Sequence, residues 1–258
     1  MRVRAFITPK DHETFDDCQD RFSINPETGS LAVSDGMSQS LFPKYWAQLL
    51  AGRYTSEKDW QPTHDNVRQL APLWRSMVDR KIDEMRSGGG NPWRTENMLA
   101  DGFSAGATLV GLRLDGMSWV CDVLGDSCMV VLEDNKIKEI YSSMDISHFD
   151  NYPEYFDSHP ERQGKGEPKS FSGVFEQSQT ALLVSDAMGE FLSKIREDKN
   201  QTAYVRDLLN VESADEFEIL VEWWRKNGMH NDDTTAVVVS FDDKEASEPF
   251  KRQEEWIW

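Results

Sequence analysis

The stretch "LLVSDAMGEF" (residues 182–191) is an apolar, strand-like run that stops abruptly at Asp186. The earlier stretch "LAVSDGMSQS" (31–40) stops in nearly the same way, with Asp35 followed by Gly36. Short apolar runs bounded by small, turn-forming residues are typical of buried strands. The two stretches therefore predict two strands that each deliver a carboxylate to one edge of a core.

The segments before and after these stretches predict further strands and helices in separate runs. Strand patterns in VRAFIT, DRFSIN and SLAVSD indicate an N-terminal antiparallel meander. Helical periodicity follows in LFPKYWAQLLAGRY and from Asp65 to Arg86. The turn pairs Asp115-Gly116 and Asp134-Asn135 then indicate consecutive hairpins, which would form a second meander.

The last third of the chain repeats this separation. KSFSGVFEQ and TALLVSD predict two strands, helical patterns run from about 190 to 227, and TTAVVVSF predicts a final strand. Ser213 and Glu216 have the spacing of a capping box at the start of the last helix, and Gly228 follows its end. Strands and helices in separate runs favour an α+β fold with antiparallel sheets.

Length and composition limit the organisation and the partners. The 258 residues favour one domain over 1–241, with a helical insertion at about 40–100 and an acidic, aromatic tail at 242–258. The net charge of -18 opposes binding to nucleic acid or an anionic membrane. No apolar run approaches the roughly 18 residues of a membrane span, and the N terminus lacks the apolar run of a signal peptide, so we expect a cytoplasmic protein.

The cysteines and histidines form no metal-binding or disulfide pattern. Cys18, Cys121 and Cys128 contain no CxxC pair, which predicts reduced thiols. The five histidines lack zinc-site spacing. The sequence therefore disfavours a zinc site and cysteine-based catalysis.

Carboxylates at strand edges carry the functional argument. They occur in CQD, SDG, GDS, SDA and NDDTT, as Asp20, Asp35, Asp126, Asp186 and Asp232 with Asp233. One Asp beside Gly is ordinary turn chemistry. Several carboxylates within a few Å repel one another unless a cation offsets them, and oxygen ligands select hard ions such as Mg²⁺ or Mn²⁺. Gly36 would let a backbone carbonyl approach such an ion.

In this order the motifs resemble the PPM-type (type 2C) metal-dependent Ser/Thr protein phosphatases. They resemble in particular a bacterial branch in which a His precedes Cys-Gln-Asp and a block similar to "FEILVEWWRKNGMHNDDTT" closes the domain. The resemblance covers roughly residues 5 to 241. It implies a four-layer α-β-β-α sandwich, in which two antiparallel sheets are flanked by antiparallel helices and a two-metal centre lies at one end.

The resemblance also implies roles for the motif residues. Asp35 would bridge two Mg²⁺ or Mn²⁺ ions, and the Gly36 carbonyl would bind one of them. Asp186 and Asp232 would bind the other ion, and Asp20 would bind an ion or support a ligand. Asp126 would help to hold a weaker third ion.

A bridging hydroxide between two ions about 3.5–4 Å apart would then attack a phosphomonoester directly. Implied partners are a phosphoprotein substrate and a paired Ser/Thr kinase, with no nucleic acid and no membrane, and we expect a monomer.

Two departures from the family pattern leave an alternative open. Phe15 stands where many relatives carry a phosphate-binding Arg, and Met37 stands where some carry a His. His12 could instead bind phosphate or donate a proton, and Lys10 is a further candidate. The alternative is a pseudophosphatase or metal-sensing binding module with little turnover. A third interpretation, an acidic structural protein with coincidental Asp turns, is also open.

The tryptophans allow two interpretations. Trp46, Trp60, Trp74 and Trp93 are expected to pack structurally, although a recognition surface is the alternative. The aromatic end of the tail, Trp256 to Trp258, would fold back on the domain or bind a neighbour.

Overall fold

Two five-stranded antiparallel sheets form the centre of the computed structural model, which describes residues 1–144 and 153–241. The first sheet contains, in spatial order, β1 (Arg2–Thr8), β12 (Thr234–Ser240), β11 (Gln179–Val184), β7 (Cys128–Glu133) and β8 (Lys136–Tyr141). The second contains β10 (Lys169–Val174), β6 (Ser118–Leu124), β5 (Leu109–Asp115), β3 (Ser30–Ser34) and β2 (Arg21–Asn25). A short pair joins β4 (Gly106–Ala107) to β9 (Phe156–Asp157).

Helices cover the outer face of each sheet. The second sheet packs against helices from the first half of the chain, which are α1 (Pro43–Ser56), α2 (His64–Arg68), α3 (Ala71–Ser87) and α4 (Trp93–Ala100). The first sheet packs against α5 (Asp186–Ile195), α6 (Gln201–Leu209) and α7 (Ala214–Lys226). Between the sheets lies a third apolar cluster that includes Val33, Leu112, Leu183 and Val237. The predicted α+β architecture with two antiparallel sheets is confirmed.

The predicted N-terminal meander is wrong in one pairing. β2 and β3 form the expected hairpin, but β1 pairs with β12 along its whole length, from Arg2 opposite Ser240 to Thr8 opposite Thr234. Hydrophobic alternation specifies a strand and its faces, but it does not specify which distant strand lies beside it.

The predicted second meander is also only partly correct. The Asp115-Gly116 and Asp134-Asn135 turns close the hairpins β5–β6 and β7–β8. Asp134 and Asn135 both have positive φ, as a two-residue hairpin turn requires. However, β6 and β7 lie in different sheets, so the chain crosses between the layers at 125–127.

The helix predicted from Asp65 to Arg86 is two helices. α2 ends at Arg68 and α3 begins at Ala71, with Pro72 in its first turn. Proline is suited to the first turn of a helix, but inside a helix it removes a hydrogen bond and clashes with the preceding turn. The capping interaction at α7 is confirmed, since the Ser213 side chain accepts a hydrogen bond from the Glu216 amide at 3.3 Å.

Most of the tryptophans in the helical half pack structurally, as expected. Trp46, Trp60 and Trp74 are buried in the apolar cluster formed by the second sheet and its helices, whereas Trp93 is exposed. Trp256 and Trp258, with the rest of the proposed tail at 242–258, lie outside the described residues. Among the helices of the described part, none has the length and apolar character needed to cross a membrane. The domain boundaries themselves stay a prediction.

Candidate functional site

Strand registers bring several chain segments to one end of the first sheet. Thr8, the last residue of β1, pairs with Thr234, the first residue of β12. Val184, the last residue of β11, pairs with Ala236 on one side and with Cys128, the first residue of β7, on the other. The residues that follow β1 and β11, and those that precede β12 and β7, therefore lie at one end, which we call the rim.

Asp35 reaches the rim from the second sheet. Its carbonyl accepts a hydrogen bond from the Thr108 amide at 2.9 Å, and its amide donates to Thr108 Oγ1 at 3.2 Å. The first bond joins the two backbones past the end of β3, and the second adds the Thr108 side chain. The backbone of Asp35 is thus held where the apolar run of β3 ends.

Asp186 begins α5 directly after β11. The preceding residue, Ser185, is tied to β12, because its amide donates to the Thr235 carbonyl at 3.2 Å and its hydroxyl accepts from the Thr235 amide at 2.9 Å. Asp186 is therefore held at the junction between sheet and helix.

Asp20 is a completely buried carboxylate in this region. Its Oδ2 accepts a hydrogen bond from the Thr235 hydroxyl at 2.8 Å. Its Oδ1 is buried with no hydrogen-bond partner among the described residues. Burial, followed by the nearby charge of Asp233, raises the pKa of Asp20 to about 7. A buried oxygen without a donor is costly unless it meets a cation or a water molecule.

Two other carboxylates of the rim, those of Asp35 and Asp186, also have raised pKa values. Burial and then the charges of Asp186, Asp20, Asp126 and Asp232 raise the pKa of Asp35 well above its ordinary value. Burial and the charges of Asp126 and Asp232, in that order, do the same to Asp186. The five aspartates predicted from the motifs are therefore close enough to repel each other. A cation placed among them would relieve this repulsion.

The charge and donor type of these residues fit a hard divalent ion. As the side chains lie, however, no three or more His, Cys, Asp or Glu residues within 1–144 and 153–241 form a group that could hold a metal ion. The carboxylates are thus near enough for their charges to interact, but in the described residues no three of them are arranged as ligands of one ion.

Gly36 lies where the backbone is crowded. A Cβ at this position would come within 2.9 Å of Pro43 Cβ and 3.0 Å of the Gln19 carbonyl oxygen. The glycine therefore allows the segment after Asp35 to pass between α1 and the loop before β2. This close approach is a structural reason for Gly36, separate from the carbonyl role expected from the sequence.

Asp232 and Asp233 are adjacent in sequence but make different contacts. Asp232 Oδ1 lies 3.4 Å from Lys10 Nζ. Asp233 is buried, and its two carboxylate oxygens accept the amides of Lys10 at 3.0 Å and Gln19 at 2.6 Å. Asp232 thus pairs with the Lys10 ammonium at the rim, while Asp233 holds the loop between β1 and β2 through hydrogen bonds. The sequence indicated Asp233 only as part of the NDDTT motif and did not reveal these hydrogen bonds.

The remaining predicted residues have these positions. Asp126 is buried and follows Gly125, whose positive φ of 100° turns the chain between the sheets. His12 is exposed and lines a groove with Glu218 and Glu222 of α7.

Two residues, Phe15 and Met37, depart from the family pattern. The Phe15 side chain is 55% exposed. Met37 Sδ packs so closely on Gly106 that a Cβ there would come within 2.6 Å of it. Neither side chain offers a charged group to a phosphate.

The three cysteines are free, as predicted, and the structure buries all three. Burial raises the pKa of all three thiols. Because the thiolate is the nucleophilic form, this environment disfavours cysteine chemistry.

Comparison with solved structures identifies the fold. A bacterial serine phosphatase superposes with a TM-score of 0.59 at 16% identity, covering 94% of this chain and 98% of that one. The Mycobacterium tuberculosis serine/threonine phosphatase PstP superposes with a TM-score of 0.56 at 17% identity, covering 93% and 98%. The PstP catalytic domain in complex with two manganese ions also gives 0.56, at 16% identity and 93% and 97% coverage.

At these identities the similarity establishes the fold. The chain has the fold of the PPM-type serine/threonine phosphatases, as the ordered motifs predicted. No protein-family model matches the chain, and no curated protein matches its sequence. The Cys-Gln-Asp branch within that family stays a prediction.

Proposed function

We propose that the protein is a metal-dependent protein Ser/Thr phosphatase that hydrolyses phosphomonoesters. The observation that carries this proposal is the convergence of mutually repelling carboxylates at one end of a fold shared with serine/threonine phosphatases. The residues concerned are Asp20, Asp35, Asp126, Asp186 and Asp232. The two manganese ions of the PstP domain support the choice of a hard divalent ion.

In this proposal two Mg²⁺ or Mn²⁺ ions, with a weaker third, occupy the rim. When bound, such ions activate water and neutralise charge on the transferring phosphoryl oxygens. Asp35 would be a ligand to these ions, as the family resemblance implies, and the charges of four other aspartates act on it. The Gly36 carbonyl would complete one site, Asp186 and Asp232 the other, and Asp126 would serve the third.

Asp20 has a distinct role in this proposal. Its Oδ2 is engaged by Thr235, which leaves the buried Oδ1 to face a cation. Thr235 would therefore orient a carboxylate whose other oxygen carries the negative charge needed at the site.

Lys10 is the residue we propose for orienting the substrate phosphate. Lys10 and His12 line the same groove against α7, and the Lys10 ammonium lies 3.4 Å from Asp232 Oδ1 at the rim. Once a divalent ion binds Asp232, the ammonium would keep only the longer contact with Glu13 Oε1 at 3.9 Å and would be available to pair with a phosphoryl oxygen. A lysine supplies a point charge in place of the fork-shaped contact that an arginine would give.

The proposed substrate is a phosphoprotein, with a Ser/Thr kinase as a further partner, and the proposed form is a cytoplasmic monomer. The test is hydrolysis of an aryl phosphate and of a phosphoserine peptide by purified protein with Mn²⁺, with Mg²⁺ and with EDTA. We expect turnover only with a divalent ion. Asp186→Ala should abolish it, while Asp79→Ala on the exposed face of α3 should not. A folded wild-type protein that is inactive with every metal would overturn the proposal.

The alternative is a pseudophosphatase or metal-sensing binding module on the same fold. Phe15 and Met37 in place of polar groups favour it, as does the lack of a closed three-ligand group in the described residues. Isothermal titration with Mn²⁺ beside the rate assay separates the two functions, because a binding module would bind the ion without turnover.

A further inference from the structure

Arg225, near the end of α7, has a buried guanidinium outside the set of candidate ligands. Its side chain is 7% exposed. Nη2 donates to the Pro9 carbonyl at 3.0 Å and to the Asp232 carbonyl at 2.7 Å. Nη1 donates to Asp11 Oδ1 at 2.7 Å. One planar group thus joins two chain segments that are more than 200 residues apart in sequence.

These two segments carry the ion pair at the rim. Pro9 directly precedes Lys10, and Asp232 is itself the partner of the Lys10 ammonium. Two further side chains join the same segments, because Asn231 Oδ1 accepts the Asp11 amide at 2.9 Å and Asp233 Oδ1 accepts the Lys10 amide at 3.0 Å. The guanidinium is the member of this network that binds both backbones directly.

We propose that Arg225 is a positioning residue that sets the separation of Lys10 and Asp232, and through it the affinity of the rim for a divalent cation. The role of Asp232 as an ion ligand rests on the function proposed above. Arg225 suits this task because its donors have a fixed planar geometry and its charge is permanent. A lysine would keep the charge but would not reach two carbonyls and a carboxylate at once.

α7 has anchors in the core in addition to Arg225. The helix is anchored by the fully buried side chains of Phe217, Val221 and Trp224 in the core beneath the first sheet. Removal of the guanidinium should therefore leave the helix in place and loosen the two segments it joins. This separates a positioning role from a contribution to folding alone.

The experiment compares Arg225→Met and Arg225→Lys with a matched control, Arg113→Met. Arg113 is also nearly buried and pairs with a carboxylate, Asp122, at 2.8 Å, but it belongs to β5 and packs on Tyr54. Mn²⁺ affinity is measured by titration calorimetry, and KM and kcat are measured with an aryl phosphate. Hydrogen exchange in EDTA follows the amides of Lys10, Asp11 and Asp233.

We expect Arg225→Met to weaken Mn²⁺ binding by about 10- to 100-fold, the usual effect of losing a group that supports a metal ligand. Exchange should accelerate at the three amides, and Arg225→Lys should recover part of the affinity. Arg113→Met should lower the melting temperature without changing Mn²⁺ affinity.

Wild-type Mn²⁺ affinity and exchange in Arg225→Met would overturn the inference, as would equal loss of affinity in Arg113→Met. If the wild-type protein binds no Mn²⁺, the proposed function fails and the exchange data decide the positioning role alone. Faster exchange confined to the two segments then supports that role, and unchanged exchange overturns it.

Discussion

Replacing Asp20 by Asn should stabilise the metal-free protein above neutral pH. The Asp20 carboxylate is fully buried near other negative charges, so its ionised form is unfavourable in the folded state. Asparagine has nearly the same shape, and its carbonyl oxygen can still accept the hydrogen bond from the Thr235 hydroxyl. The substitution removes the charge while it keeps the packing.

The pKa of Asp20 fixes the size and the pH window of this effect. Its folded value of about 7 lies above the ordinary value of 3.8. The folded protein therefore binds this proton more tightly than the unfolded chain does, and stability is lost as the pH rises from about 4 to about 7. The difference between the two values corresponds to about 4 kcal/mol of unfolding free energy. Below about pH 4 this contribution is fully present.

Urea unfolding in EDTA, at about pH 5 and about pH 8, measures this contribution. The wild-type protein should lose a few kcal/mol more than Asp20→Asn between the two pH values. Asp122→Asn is the control, because Asp122 is an equally buried carboxylate that is paired with Arg113 at 2.8 Å. Breaking this buried pair should destabilise the protein at both pH values.

Equal destabilisation by Asp20→Asn at both pH values would refute the reasoning. It would show that the Asp20 carboxylate is stabilised in the metal-free fold by contacts that outweigh its burial and the charge of Asp233.

Three further predictions concern individual contacts at the rim. Gly36→Ala should lower the melting temperature and abolish metal-dependent turnover, because its Cβ would lie 2.9 Å from Pro43. An unchanged melting curve and rate would show that the backbone at position 36 has room for a side chain. Lys10→Met should raise KM for an aryl phosphate and weaken inhibition by inorganic phosphate, with a smaller change in kcat. Steady-state kinetics would show a larger change in kcat than in KM if Lys10 acts only on Asp232. Thr235→Val removes the donor to Asp20 at 2.8 Å and should cost about 1–3 kcal/mol of unfolding free energy, measured by urea denaturation; a neutral effect would exclude that bond as a stabilising contact.

The local features of the site could be predicted from the sequence. Apolar runs that stop at Asp35 and Asp186 indicated where strands end, and strand ends at one edge of a sandwich place their next residues together. The hairpin turns at Asp115-Gly116 and Asp134-Asn135 could also be predicted, because a turn depends mainly on the residues within it.

Contacts between distant segments could not be predicted in this way. The pairing of β1 with β12 and the crossing from β6 to β7 depend on packing across the whole chain. Arg225 lies in the block that resembles the closing motif of the family, but the sequence does not show which groups its guanidinium contacts. Its burial against Pro9 and Asp232 arises only when both ends of the chain meet.

The central claim is that aspartates from distant parts of the chain hold divalent ions at the rim. Anomalous diffraction from crystals soaked in Mn²⁺ tests this claim most directly. Our account predicts two manganese peaks, with oxygens of Asp35, Asp186 and Asp232 and the Gly36 carbonyl as ligands. A well-ordered structure with no manganese at these carboxylates would contradict it.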